Sequence, residues 1–455
     1  MIKQFCHILL LSLGLLVCNA VPAFSMGDFR FEGIGPLDGM LDSEDSDDLE
    51  QLLARSKRMV IIRKAYSSDK VIQVPEGRVL HFERGGSICA DLVFNKTLLS
   101  GDVRLQGSHV SGSIRNTSMN AGWLCRMDGE SDDAGPINEM ISICDTVFFP
   151  KGTYLLKSIY SPPAAMEKRS SIRCHVGVNR SNVSLIGEKG TVWSVPDVAG
   201  TICVFSAPGD IPNSIRNITI RNIEFKVAND GKTFHEWTHS LHCIGVNGLV
   251  IQGCRFNDFW GDAICLGHYG DTPETGELAR NSNIKIVDNV ITGGDHHNNR
   301  NGISVINGEN VIIRENVIMN TTRADMPGAI DVEPNNSANT IKNISILNNK
   351  IEGCSGTAGG ICIHANRRGG PAHGIEIIGN TIKSSTSGLS FVVLSDDTSS
   401  DFTVKNNVVE ADTRPMQFIG SGKSSNWHFS GNVFKRNAKV NVGGSIKVKG
   451  ITVEN

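Results

Sequence analysis

Asp331 and Glu333 stand two apart in Ala329-Ile-Asp-Val-Glu333, and His364 closes the similar run Gly360-Ile-Cys-Ile-His364. Ala263-Ile-Cys-Leu-Gly267 and Gly302-Ile-Ser-Val-Ile306 repeat the pattern upstream. The second and fourth positions of each run are apolar, so in an extended strand they share one face, and the third and fifth share the other. Aligned on Ile264, Ile303, Ile330, Ile361 and Leu389, one outward position reads Cys265, Ser304, Asp331, Cys362, Ser390 and the next Gly267, Ile306, Glu333, His364, Val392. Stacked as rungs, neighbouring runs lie about 4.8 Å apart, and outward residues two apart on a strand lie about 6.5–7 Å apart. The alternation predicts that Asp331, Glu333 and His364 face outward together. Carboxylates that close raise each other's proton affinity, and a charged imidazole lowers it again. Such a group suits acid–base work, with His364 as base, or Ca2+ held by Asp331 and Glu333. The plainer reading is a solvated acid pair with a salt-bridged histidine.

Further polar residues flank these rungs. Asp295-His-His-Asn-Asn-Arg300 leads into the Ser304 run, and Asn366-Arg-Arg368 leaves the His364 run. His297 is a second candidate base. His296 and His297 point apart on an extended chain, which favours a hydrogen-bonding loop with Asp295 over a metal site there. Arg300, Arg367 and Arg368 have the planar fork that clamps a sugar carboxylate or sulfate; solvated loop arginines are the plainer reading. The step from Ile264 to Ile303 is 39 residues, against 27, 31 and 28 for the next three. The surplus falls in His268–Glu277, a loop beside the column that carries Tyr269. Trp237, Trp260 and Tyr269 are candidates to stack on sugar rings, but an aromatic packed under a loop is the better default reading. His239 and His242 read as structural or peripheral.

The elements that position these residues repeat. An Asn followed by an x-apolar pair recurs at Asn289, Asn316, Asn349, Asn380, Asn407 and Asn432, at intervals of 27, 33, 31, 27 and 25 residues, with a related run at Asn222 and Cys254 in the same slot of another coil. Such an Asn tolerates a left-handed turn and bonds to its counterparts one rung above and below. These asparagines read as structural. Repetition at this period predicts an all-β solenoid whose coils share an Ile/Val core while outward positions vary. Function then rests on the outward residues.

Gly129-Glu-Ser-Asp-Asp133, a short amphipathic helix over Ile137–Ile143, and Thr146-Val-Phe-Phe-Pro-Lys-Gly-Thr-Tyr154 suit a plug over the open end of such a structure. Asp132-Asp133, that helix and Phe149-Pro-Lys-Gly-Thr-Tyr154 resemble the opening segment of the pectate-lyase-like superfamily, with Met127-Asp-Gly-Glu130 matching its lead-in in part. The resemblance covers about Gly129 to Val440 and implies a right-handed parallel β-helix with a short N-terminal capping helix. Asp262 in Trp260-Gly-Asp-Ala-Ile264 resembles the Gly-Asp-Asp run of polygalacturonases, but Ala263 replaces the second acid, which weakens transfer of that mechanism.

Three segments are expected: a leader at 1–25, a β-rich N-terminal segment at 26–128 stacked on the coils after it, and the β-helix at 129–455. The leader reading rests on Lys3, the apolar run Ile8–Val17 and small residues after it, and it implies export to the periplasm or beyond. The run is too short to span a bilayer. Cys18 invites a lipid anchor, which Val17 before it disfavours. A net charge of −3 lends no support to nucleic acid as partner. Cysteines lie mostly in apolar strand runs without metal spacing, so free buried thiols are expected in place of a disulfide framework. The leading expectation is β-elimination of a uronate-containing polysaccharide, with Arg300, Arg367 or Ca2+ neutralising the sugar carboxylate. A hydrolase using Asp331 and Glu333, and a non-catalytic glycan-binding solenoid, are the alternatives.

Overall fold

The computed structural model describes residues 40–42, 46, 48–160, 173–205, 215–268, 277, 279–294, 298–367, 370–384, 386–394, 396–435, 441–442 and 447–454. The expected leader lies outside the described residues. Successive coils each give one strand to three parallel faces. The first face includes Leu241–Ile244, Ile264–Leu266, Ile303–Val305, Gly328–Val332, Gly359–Arg367 and Ser387–Val393. The second includes Asn281–Val287, Gly308–Arg314 and Ile341–Leu347, and the third Val290–Thr292, Val317–Met319 and Lys350–Cys354. Inward residues stack in register, as in Ile264↔Ile303↔Ile330↔Ile361 on the first face and Ile291↔Ile318↔Ile351 on the third. One apolar cluster runs from Leu49 to Phe429, so no coil buries its face alone.

The N-terminal strands obey the same logic, with Met59↔Val79 and Val79↔Leu98 paired in parallel. The helix Leu49–Arg55 is capped by Asp48, whose carboxylate accepts the Glu50 and Gln51 N–H groups. The expected capping helix is Ala134–Ile143, which buries Ile137, Met140 and Ile141. Its Asp133 does not cap by side chain: that carboxylate accepts from the Arg126 and Met127 N–H groups, and Asp132 bonds the Ala134 N–H. No helix among the described residues is long and apolar enough to cross a membrane. All ten described cysteines are free and nine are buried.

Asn289, Asn316, Asn349, Asn380 and Asn407 each donate both the backbone N–H and the amide N–H to the Oδ1 of the next ladder residue, at 2.9–3.1 Å. The amide also donates to a main-chain carbonyl, Ile286 for Asn316 and Ile313 for Asn349. The Cys254 N–H donates to Asn289 Oδ1, confirming the slot of that cysteine. The left-handed residue is not the ladder Asn but the one before it, such as Asp288, Glu315 and Asn348 at φ 57, 58 and 54°. Asn222, at φ 57°, occupies that preceding slot, so it is not a rung of the ladder. A second, exposed ladder joins Asn343 to Asn310 and Asn310 to Asn283.

Asn316→Ala strips Asn289 of its acceptor and Ile286 of its donor inside the core, with an expected loss of about 2–4 kcal/mol. Asn310→Gly places in the exposed ladder the residue that Gly248 and Gly374 already supply there at positive φ, and should change stability by no more than about 0.5 kcal/mol. Denaturant unfolding of the two variants checks the contrast.

Candidate active site

The first face delivers the expected column. His242, Cys265, Ser304, Asp331, Cys362, Ser390 and Gln417 are paired residue to residue, and His364 pairs with Val392 on the next strand. The Glu333 N–H donates to the Val305 carbonyl at 2.9 Å, which extends the Asp331 strand by one ladder bond. These residues are not solvated as expected of outward positions: Asp331, Ser304 and Cys362 are fully buried, and Glu333 is 4% exposed. Alternation decides which side of a strand a residue takes, and the segments before each strand then cover that side.

Arg300 lies at the centre of the covered layer. Its Nη1 donates to Asp262 Oδ2 at 2.8 Å and Oδ1 at 3.1 Å, its Nη2 to Glu333 Oε2 at 3.4 Å, and its Nε lies 3.7 Å from Glu236 Oε1. Burial discourages its charge, but Asp262 and Asp331 hold its proton affinity above the ordinary value. The Asn301 amide donates to Ser304 Oγ at 3.0 Å and Asp331 Oδ2 at 3.3 Å, and its N–H donates to Asp262 Oδ1. The Asp262 N–H donates to His239 Nδ1 at 3.0 Å, which leaves the proton of the neutral ring on Nε2. Gly261 permits this approach, since a Cβ there would lie 2.6 Å from the Glu236 carbonyl oxygen.

Two imidazoles are held neutral. His239 is pushed down to about 3 by burial and the Arg300 charge, and His364 to about 4 by the same two causes in the same order. His364 Nε2 lies 3.7 Å from Asp331 Oδ1, and neither ring nitrogen has a hydrogen-bond partner among the described residues. Burial and then Asp331 push the Cys362 thiol well up.

Asp331, Glu333, His364 and Arg300 are thus brought together. Arg300 is not a free clamp for a sugar, because carboxylates of the protein take its fork. Trp260 is buried against the His235 ring, so it offers no stacking face, whereas Trp237 is 63% exposed. Asp295, His297, Tyr269 and Arg368 lie outside the described residues; Arg367 ends its strand, with its backbone paired to Gly370 and its side chain likewise outside. Asp262, Asn301 and His239 belong to the network, and residue types alone do not assign them to it. Their signal is positional: Asp262 and Asn301 each stand two residues before a first-face strand.

Ligand atoms of Asp331, Cys362 and His364 lie within 4.8 Å of one another, as do those of His239, His242 and Cys265. Glu333 is turned to Arg300, and the remaining donors include sulfur and nitrogen, so the Ca2+ pairing expected of Asp331 and Glu333 does not match the arrangement.

Coils that each give one strand to three stacked parallel faces make this protein a right-handed parallel β-helix. Residues 277–455 match the family model described as the right handed beta helix region. Among solved structures, the chain is similar to the A-module of a mannuronan C-5 epimerase from Azotobacter vinelandii, at 14% identity over 73% of this chain and 94% of that one, TM-score 0.47. It is also similar to a surface protein and adhesin of Streptococcus pneumoniae, at 13% over 74% and 100%, TM-score 0.38. A third is the catalytic unit of a thermostable α-1,3-glucanase from Streptomyces thermodiastaticus, at 12% over 91% and 69%, TM-score 0.38. Likeness at this level concerns shape, and no chemistry follows from it. No curated protein matches the chain.

Native His239, facing Asp262, Arg300 and the His242 ring, takes up a proton only near pH 3, whereas an unfolded histidine does so near about 6.5. Between those values the unfolded state binds more protons, so stability falls as pH falls. His239→Gln can still accept the Asp262 N–H and is expected to flatten this dependence. Thermal midpoints of both proteins from neutral to acid pH check it; parallel curves would assign the acid loss to other groups.

Proposed function

We propose that this chain acts on an extended, uronate-containing polysaccharide and cleaves it by β-elimination at the Asp331–Glu333–His364 column. The carrying observation is the convergence of two carboxylates on one rung with an imidazole on the next whose ring nitrogens have no hydrogen-bond partner among the described residues. Glu333, oriented by Arg300, takes the proton from the carbon beside the sugar carboxylate. The electron pair forms the new carbon–carbon double bond, and the glycosidic carbon–oxygen bond breaks, with the leaving oxygen collecting a proton. For that proton to become acidic the sugar carboxylate must be neutralised by a positive charge, which the Asp331 carboxylate and the neutral His364 ring can hold as ligands but do not themselves carry. The leader-like sequence before residue 26 supports work outside the cytoplasm, where such glycans are met.

Hydrolysis is the second reading, favoured by one feature: two carboxyl-bearing residues two apart in the chain, whose backbone positions on an extended strand lie about 6.5–7 Å apart, are the pair an acid–base hydrolase needs. Elimination leaves an unsaturated sugar that absorbs in the ultraviolet; hydrolysis leaves reducing ends alone. Incubation with polyuronates should yield the absorbing product, and Glu333→Gln should lower its rate by about 100- to 10,000-fold while glycan binding persists. Chain cleavage without the absorbance would sink elimination, and an unchanged Glu333→Gln variant would remove catalysis from this column.

A further inference from the structure

We infer that Asp331, Cys362 and His364 form a binding site for one divalent transition-metal ion of the zinc class. The three side chains come from two adjacent coils. Cys362 and His364 are two apart on Gly359–Arg367 and share its outer side, and Asp331 pairs directly with Cys362 across the ladder. Their ligand atoms lie within 4.8 Å of one another. The 3.7 Å between His364 Nε2 and Asp331 Oδ1 is too long for a hydrogen bond. It is close to the edge of a tetrahedron around an ion bound at about 2.0–2.2 Å by both atoms, which spans about 3.4 Å.

A second observation points the same way. His364 is nearly enclosed, with a side chain 13% exposed, yet both of its ring nitrogens lack a hydrogen-bond partner among the described residues. An enclosed imidazole of this kind costs desolvation energy that a metal bond would offset. The donor set selects the ion. One sulfur, one imidazole nitrogen and one carboxylate oxygen suit Zn2+ and its neighbours, whereas Ca2+ and Mg2+ require oxygen ligands throughout.

Charge also balances. On binding, the Cys362 S–H bond breaks, its proton leaves to solvent, and the thiolate and the Asp331 carboxylate together neutralise the two positive charges. Arg300 nearby is already matched by Asp262 and Glu333, so the added ion meets no unbalanced cation. Three protein ligands leave one position open, the arrangement of catalytic rather than structural zinc sites. The site itself stands on this geometry. Its use, polarising the uronate carboxylate that Arg300 is not free to meet, rests on the elimination reading above.

The test uses the full chain, dialysed against chelator and titrated with Co2+. One ion per chain is expected, with the intense visible bands of a tetrahedral site and a near-ultraviolet sulfur-to-cobalt charge-transfer band. Cys362→Ser should abolish that band and His364→Ala should weaken Co2+ binding about 10-fold or more, while Cys265→Ser, in the other cluster, should leave the band in place. X-ray absorption of the zinc-loaded wild-type protein should show a single sulfur ligand, a result independent of any variant's folding. Absence of Co2+ binding, or a band that survives Cys362→Ser, would overturn the site. Metal binding without ultraviolet-absorbing glycan products would keep the site and sink elimination, whereas elimination by chelated, metal-free protein would overturn the metal's use there.

Discussion

The structure depends on a buried amide ladder. At each coil the chain turns inside the apolar core, where main-chain N–H and C=O groups have no water to bond. An Asn at that turn accepts two N–H groups from the coil before it and donates one to a carbonyl, so a single side chain meets the needs of several groups. Because each rung bonds the next, the spacing and register of the coils are shared along the stack. A residue's place on one strand then decides its neighbour on the next, which allows Asp331 to meet Cys362.

The second constraint is electrostatic. The layer over the first face buries Arg300 with Asp262 and Glu333, an arrangement whose desolvation cost is large and whose disruption leaves an unmatched charge. Such a group stabilises little by itself, but it holds several loops in one arrangement: Asp262 enters one strand, Arg300 and Asn301 together enter the next, and His239 comes from the coil before. The same charge helps keep His364 and His239 neutral. Orientation of Glu333, and the part of the imidazoles' neutrality that burial does not already impose, thus share one guanidinium. Chemistry at the column and integrity of the loops are coupled through Arg300.

Much of the fold was legible because its signals are local and periodic. Apolar alternation in Ile303-Ser-Val305 and Ile330-Asp-Val332 gives the inward side, and recurrence of Asn gives the coil length. The left-handed residue was misplaced by one position, since Asn, Asp and Gly cluster at these turns and composition does not separate Asp288 from Asn289. The candidate site was legible as a column of residue types but not as an environment. Arg300 read as a solvent-facing fork, yet it is buried, because what covers it comes from residues distant in sequence; Trp260 is packed, as the default reading of such an aromatic had it.

By itself, then, the sequence determined the strands, their inward faces and the identity of the residues that share the outward column, because those follow from side-chain alternation and coil period. Only the tertiary structure decided that the column is enclosed, that Asp262 and Glu333 take the guanidinium of Arg300, and that His364 is left beside Asp331 and Cys362 with its ring nitrogens unbonded. Desolvation and charge pairing depend on everything that surrounds a group in space, and no period in the sequence records that.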